Sequence, residues 1–351
     1  MQSLAEPGLK KTIKVRLQNG LHFETFKKEV FDIEQLGDLF DFQQSDEPEF
    51  VIFGPYGNDI PQKGNYTRVG YFCENITPDF SHCEWAFGVP DENEVKNPKY
   101  KRIQWHGLAP ESLLKSLTDN DIDLILQQKN KFCNFLYSNP VAYREQFYKQ
   151  LSKYKKIDAP GKSMNNMASI DTLYKGNIWE RKRQFLSEYK FTIAFENYAY
   201  PGYQTEKLYD AMLLNSLPVY CGDENINQVF NPKSFINVGD FIEPHKGKLV
   251  SMLERSSQQS FVDIRPQFFK SPIHRLTRKV KAIGRELKMK LQYNNLDFSD
   301  LIDRIIEIDN NQELYIEYLK QPWFHNNIIP TKTLNRDRWI QIFNSHQTDE
   351  I

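Results

Sequence analysis

The stretch Phe195–Gly222, FENYAYPGYQTEKLYDAMLLNSLPVYCG, constrains the fold of this 351-residue chain more than any other. Before its loop, Phe191-Thr192-Ile193-Ala194-Phe195 is short and apolar, the pattern of a buried strand. Leu217-Pro218-Val219-Tyr220-Cys221 repeats that pattern and is ended by Gly222. Between them Thr205 is placed as an N-cap. Leu208, Ala211, Met212 and Asn215 follow at helical spacing, with only the last polar. Strand, loop, helix and strand in that order build parallel sheets, which hold ligands at the carboxyl ends of strands. Glu206 and Lys207 fall in the first helical turn, where unpaired backbone N–H groups and the dipole favour an anion. A lysine there adds a point charge suited to a pyrophosphate.

The rest of the chain alternates in the same way. Strand-like runs occur at Ile13-Lys14-Val15, Glu49 to Gly54, Arg68 to Phe72, Trp85 to Val89 and Arg102 to Trp105, with helical periodicity from Phe23 to Leu36. A second alternating block runs from Lys131 to about Phe241, and the wholly polar Gln127-Gln128-Lys129-Asn130-Lys131 reads as the link. A chain of this length exceeds one comfortable core, so two domains are expected, 1–128 and 129–330, with a tail over 331–351. A net charge of −1 argues against a dedicated nucleic-acid partner. No run has the apolar length to cross a bilayer and no secretory signal is visible, so a cytoplasmic enzyme is expected. Cys73, Cys83, Cys133 and Cys221 lie in or beside apolar runs without CxxC spacing and read as reduced core residues.

The central motif resembles the donor site of the α-1,3/4-fucosyltransferases, glycosyltransferase family 10. The resemblance rests on FEN at Phe195–Asn197, Tyr203, TEK at Thr205–Lys207, the apolar helix and PVYCG. Three more segments resemble that family: Phe132 to Asn139 followed by Arg144 and Leu151 to Lys155; Tyr71-Phe72-Cys73-Glu74-Asn75 with Trp85-Ala86-Phe87-Gly88; and Gln321-Pro322-Trp323-Phe324 with Asn326-Asn327. The alternation alone gives an α/β class. The resemblance implies GT-B, two Rossmann-like domains facing across a cleft. It also implies an inverting enzyme that moves L-fucose from GDP-fucose to the 3-hydroxyl of an N-acetylglucosamine in a lactosamine-type acceptor. Cell-surface polysaccharide or lipopolysaccharide synthesis is the expected setting. Another GDP-deoxyhexose as donor, or a non-catalytic nucleotide-sugar-binding protein on the same scaffold, are the alternatives.

Inverting glycosyl transfer needs a base on the acceptor hydroxyl and neutralisation of the departing nucleoside diphosphate. Glu74, at the end of a strand, matches the family's base; otherwise it is a surface or capping carboxylate. Some relatives have a second Glu where this chain has Ile76, and Glu84 is the nearest competitor, in a segment that reads as structural. Lys207 is assigned to the pyrophosphate, against a solvated first-turn lysine. Glu206 is assigned to the donor sugar or ribose and to the charge that builds at the anomeric carbon, against a helix-dipole partner. Tyr203, in a Pro201-Gly202 turn, resembles the family's donor-contacting tyrosine, and Glu196, Asn197 and Thr205 complete the pocket. Where relatives carry a phosphate-contacting Arg, the segment Gly161 to Asn166 offers only Lys162. No cofactor and no metal site are expected. Asp121-Ile122-Asp123 fits Asp-x-Asp formally but lies in the apolar-periodic Leu117 to Leu126 and reads as a helix edge.

The departure from the family pattern is an insertion, about 243–296. In it Leu276, Val280, Ile283, Leu287 and Leu291 form an apolar stripe beside Arg275, Arg278, Lys279, Lys281, Arg285, Lys288 and Lys290. Such a helix over 275–291 can make peripheral contact with an anionic membrane at its inner face. The alternative is a solvated helix packed on the donor domain. The acceptor is expected to meet the loops Gly54 to Gly64 and Pro90 to Pro98.

Overall fold

A computed structural model describes residues 10–57, 59–264, 271–293 and 296–345. Residues 265–270 and 294–295 of the expected insertion, 58 of the first acceptor loop and 346–351 of the tail lie outside the described residues. The chain divides into two compact units.

The first unit holds a six-stranded sheet: β1 (Lys11–Gln18), β2 (Phe40–Gln44), β3 (Phe50–Phe53), β4 (Thr67–Phe72), β5 (Trp85–Gly88) and β6 (Tyr100–Arg102). Their order is β2-β1-β3-β4-β5-β6 and every pairing is parallel. Parallel strands covered on both faces read as continuous apolar runs, which is why β3 and β4 were legible. The edge strand β2 was not read: its sequence FDFQQ buries only Phe40 and Phe42. The fifth expected strand sits earlier than Arg102–Trp105, because Trp105 leaves the sheet to donate Nε1–H to Thr333 Oγ1 at 3.1 Å. The helix expected over Phe23–Leu36 is broken into a short helix, Phe23–Phe26, a π-type turn, Lys27–Phe31, and a 3-10 turn, Leu36–Asp38.

The second unit holds β7 (Lys131–Asn134), β8 (Ile157–Asp158), β9 (Tyr189–Phe195), β10 (Leu217–Cys221) and β11 (Ile236–Asn237). Their order is β11-β10-β9-β7-β8, again all parallel. From β7 the chain steps outward to β8, and from β9 it steps the other way to β10 and β11. The topological switch point therefore lies between β7 and β9. Two parallel α/β units make this the GT-B class expected from the sequence.

The partition differs from the boundaries read from sequence. The first unit comprises the described residues of Met1–Ala109, Gln258–Ala282 and Thr331–Ile351; the second comprises those of Pro110–Ser257 and Ile283–Pro330. The segment after Pro110 goes with the second unit because Leu117, Ile122, Ile125 and Leu126 pack into its core. The tail is a helix, Arg336–Ser345, whose Trp339, Ile342 and Phe343 are buried in the first unit's core beside Phe31 and Phe87. The insertion is shared: Phe261 stacks on Phe72 at 5.0 Å between ring centres, and its N–H donates to Thr77 O at 2.9 Å. The four cysteines are free, and three of them are buried.

Candidate functional site

The carboxyl end of β9 carries Glu196, which has no exposed surface. Its side chain lies beside Gly222, at the end of β10: a Cβ at that position would stand 2.6 Å from both Glu196 Cγ and Tyr220 Oη. Only glycine leaves the carboxylate its place. Glu196 accepts hydrogen bonds from the Thr205 N–H at 2.8 Å and from Thr205 Oγ1 at 2.7 and 3.0 Å.

Thr205 stands at the N-cap position of the helix Glu206–Leu213 but makes no side-chain cap bond. The expectation of a capping hydroxyl is thus corrected. The Thr205 hydroxyl donates to the buried Glu196 carboxylate and accepts from Lys207 Nζ, so its oxygen serves a buried ion pair, whose unpaired charges would be far costlier than an uncapped helix N–H. The first-turn N–H groups are left without the Thr205 side chain, as an anion site at a helix start requires.

Lys207 folds back from the first turn into the same cluster. Its Nζ lies 3.0 Å from Thr205 Oγ1, 3.3 Å from Glu196 Oε2 and 3.5 Å from Glu206 Oε1. Lys182, on the helix Ile178–Ser187, approaches from the other side, 2.5 Å from Asp210 and 3.9 Å from Glu206. Burial alone would drive Lys207 toward the neutral amine, but Glu196 and Glu206 outweigh it and raise its pKa. Burial pushes the Glu196 carboxyl up, against the pull of Lys207 and the Thr205 donors. Burial also acts on Glu206, yet Lys207 and Lys182 overcome it and hold that carboxyl below its usual range. The turn is therefore not a bare cationic patch. It is a charged lysine whose three donors rest on its own neighbours, the longest contact being to the more exposed Glu206.

The loop from Asn197 to Gln204 is fixed at both ends. Arg144, fully buried, lies 3.5 Å over the Tyr137 ring and donates to Asn139 O at 2.6 Å, to Asn197 Oδ1 at 3.2 Å and to Phe195 O at 3.3 Å. Tyr137 Oη bridges the switch point, donating to Ile193 O at 2.6 Å and receiving the Phe195 N–H at 2.8 Å. Tyr203 is buried after a turn in which Gly202 takes φ +86°, the left-handed region open to glycine. Gln204 Nε2 donates to Asp223 Oδ2 at 2.6 Å. From the insertion, the buried Lys288 donates to Ala199 O at 2.5 Å and pairs with Glu254 at 3.6 Å.

The structure thus brings together Glu196, Asn197, Thr205, Glu206 and Lys207, with Tyr203 in the same loop. Lys162 is exposed and makes no hydrogen bond or ion pair with the described residues. Its loop is pinned without it, by Ser163 Oγ on Glu145 at 2.7 Å and Asn165 Nδ2 on Gly161 O at 3.0 Å. Lys182 was not singled out from sequence, and Lys288, expected on the basic face of the inserted helix, is instead buried, since nothing in the pattern separates it from the other lysines of that helix.

Glu74 lies in the first unit, exposed, just past β4. Tyr56 hydrogen-bonds to it, and burial together with that carboxylate pushes the Tyr56 phenol up to about 12. Ile76, where some relatives have a second Glu, is buried in the core with Phe53, Phe72 and Phe261. Gln258 Nε2 reaches Asn75 Oδ1 at 2.9 Å, so the insertion also flanks this loop. Glu84 is structural, gripped by Arg68 through contacts of 2.6, 2.8 and 3.2 Å. Asp121 is spent on the helix start, accepting from Thr118 N at 2.7 Å and Oγ1 at 2.6 Å in a capping box.

Residues 126–263 match the model of the glycosyltransferase family 10 (fucosyltransferase) C-terminal domain. The chain is similar to an α-(1,3)-fucosyltransferase of Helicobacter pylori, 26% identical over 308 residues, 78% of this chain and 60% of that protein. It is 33% identical over 166 residues to a putative fucosyltransferase of Acanthamoeba polyphaga mimivirus, 46% of this chain and 26% of the relative. In both cases it spans less than two thirds of the relative's own length. The fold matches a crystal structure of an α1,3-fucosyltransferase with a TM-score of 0.62 at 20% identity, covering all of this chain and 94% of the other. A structure of such an enzyme with GDP-fucose matches with a TM-score of 0.61 at 21% identity.

Proposed function

We propose, from the match of residues 126–263 to the glycosyltransferase family 10 C-terminal domain, that this chain is an inverting α-1,3-fucosyltransferase. It uses GDP-fucose and acts on an N-acetylglucosamine of a lactosamine-type acceptor in cell-surface glycan synthesis. The observation that carries this reading is Lys207, an ammonium kept charged by two carboxylates at a helix N-terminus, at the carboxyl edge of a doubly wound sheet. An arriving diphosphate oxygen takes the place of Glu206 on Lys207, the longest of its contacts, and the freed Glu206 turns to the donor sugar or ribose. Asn197 and Tyr203 line the donor, while Glu196 and Thr205 hold Lys207 in position. Lys162 supplies a single-point phosphate contact from its exposed loop.

In the reaction the acceptor 3-hydroxyl oxygen forms a bond to the anomeric carbon as the bond from that carbon to the β-phosphate oxygen breaks on the opposite face. Glu74 takes the hydroxyl proton, and the electron pair leaves with GDP, stabilised by Lys207 and the first-turn N–H groups. A base of this kind contributes on the order of 10²–10⁴-fold. Incubation with GDP-fucose and N-acetyllactosamine is therefore expected to release GDP and give a fucosylated product. Glu74→Gln is expected to lose turnover by that factor with GDP affinity nearly unchanged, by calorimetry. Retention of most activity in that variant removes Glu74 as the base, and GDP binding without turnover by the native chain leaves a binding protein.

A further inference from the structure

The two longer helices of the insertion, Lys248–Ser257 and Pro272–Tyr293, show apolar side chains to solvent. Along the second, Leu276, Val280, Ile283 and Leu287 are 63, 59, 62 and 43% exposed. They recur every three or four residues, so they form one ridge along a single helix. Lys279 and Lys290, both exposed and outside any ion pair with the described residues, stand one turn from members of that ridge. The shorter helix repeats the arrangement: Leu249 and Met252 are exposed, and Lys248 and Arg255 lie one turn either side of Met252. A cavity of about 840 Å³, lined by Lys246, Lys248, Met252 and Arg255 among others, opens on that face. The two helices pack tightly on each other, for a Cβ on Gly284 would stand 2.0 Å from Ser257 Oγ.

We infer that this insertion is a docking surface for an anionic lipid bilayer, with the aliphatic ridge entering the acyl boundary and the lysines and arginine meeting phosphate headgroups. The helix Pro272–Tyr293 carries seven Lys and Arg against one Glu, in a chain whose net charge is −1. A second copy presenting the same helix would set seven cations against seven. A ridge of Leu, Val and Ile without Trp or Tyr lacks the aromatic anchors that protein partners use. A hydrocarbon layer demands no shape complementarity, and the charge excess matches an acidic leaflet. Lys288, which reaches Ala199 in the loop from Asn197 to Gln204, lies outside this ridge and is left unchanged in the test, so the transferase reading and this inference can fail separately.

The test is cosedimentation of the full chain with vesicles of phosphatidylcholine alone and of an equimolar mixture with phosphatidylglycerol. Binding is expected to the mixed vesicles only, and to fall as salt rises. Each cation near such a surface changes partitioning roughly fivefold, so Lys279→Glu with Lys290→Glu is expected to weaken binding at least tenfold. Leu276→Ser, Val280→Ser and Ile283→Ser together are expected to abolish it. Being exposed, these changes leave the thermal midpoint and GDP affinity where they were. Failure of the native chain to pellet with mixed vesicles at low salt overturns the inference. So does undiminished binding by either variant, or a lipid-free dimer, seen by ultracentrifugation, that the serine variant abolishes.

Discussion

Glu196→Ala removes a carboxylate with no exposed surface and strands the Lys207 ammonium, whose side chain is only 16% exposed. Breaking a buried pair by deleting one partner costs about 3–5 kcal/mol, mostly the penalty of the charge left behind. Neither group is exposed enough for solvent to screen the loss substantially. Glu206, the remaining carboxylate on Lys207, sits at 3.5 Å and is 45% exposed, so it compensates little. The N–H and hydroxyl of Thr205 lose their acceptor as well. For a unit of this size each kcal/mol moves the midpoint by about 2–4 °C, which gives a fall of roughly 6–20 °C. Adding Lys207→Met removes the stranded charge while keeping the aliphatic stem, so the double variant recovers about 1–3 kcal/mol of coupling. Urea and thermal unfolding of the native chain, both single variants and the double variant complete the cycle. Calorimetry with GDP on the same four proteins separates the two roles of Lys207, since both variants lacking it are expected to lose affinity whatever their stability. A loss below about 1 kcal/mol for Glu196→Ala, or strictly additive effects, refutes the pair as the structural centre of the site.

Other changes test its surroundings. Lys129 Nζ donates to Ser187 O and Leu214 O, each at 2.7 Å, at the ends of the helices Ile178–Ser187 and Glu206–Leu213. Burial lowers its pKa from 10.5 to about 7, so the unfolded chain binds more protons between these values. Its contribution is fully present above the unfolded value and is lost as pH falls toward 7. The stability of the native chain minus that of Lys129→Met is accordingly expected to grow across that window in urea titrations; a pH-independent difference contradicts the account. Gly222→Ala sets a Cβ against Glu196 Cγ and Tyr220 Oη, both at 2.6 Å. That overpacking is expected to cost about 1–3 kcal/mol in urea and to weaken GDP binding by displacing Glu196. An unchanged GDP affinity separates Glu196 from the donor site.

The strand-loop-helix-strand unit was legible because buried parallel strands have a narrow vocabulary, and β9 and β10 both use it. The start of its helix was legible too, since Thr205 stands where a cap belongs. The partner of that threonine was not. Glu196 lies nine residues upstream, and only the close approach of β9 to the glycine ending β10 aims its carboxylate at the hydroxyl. The polar run Gln127 to Lys131 misled for a related reason. A long stem lets an ammonium go inside, and Lys129, read as part of a linker, is buried with both helix-end carbonyls in reach.

The insertion shows most clearly how one residue type divides by packing. Lys279, Lys288 and Lys290 are the same letter on one helix, yet Lys288 holds Ala199 O in the loop from Asn197 to Gln204 while the others face solvent. What separates them is Gly284, one turn before Lys288. Its missing side chain lets the helix close on Ser257, and Arg285 then caps Ser257 O at 2.9 Å. That contact fixes the rotation of the helix. Position 288 is turned toward the loop, and the ridge of Leu276, Val280, Ile283 and Leu287 is turned to solvent. A glycine in the interior of a basic helix lowers helix propensity by about 1 kcal/mol, so its presence is itself a signal that something packs there. The same close approach therefore accounts for both the buried lysine at the loop from Asn197 to Gln204 and the exposed apolar face.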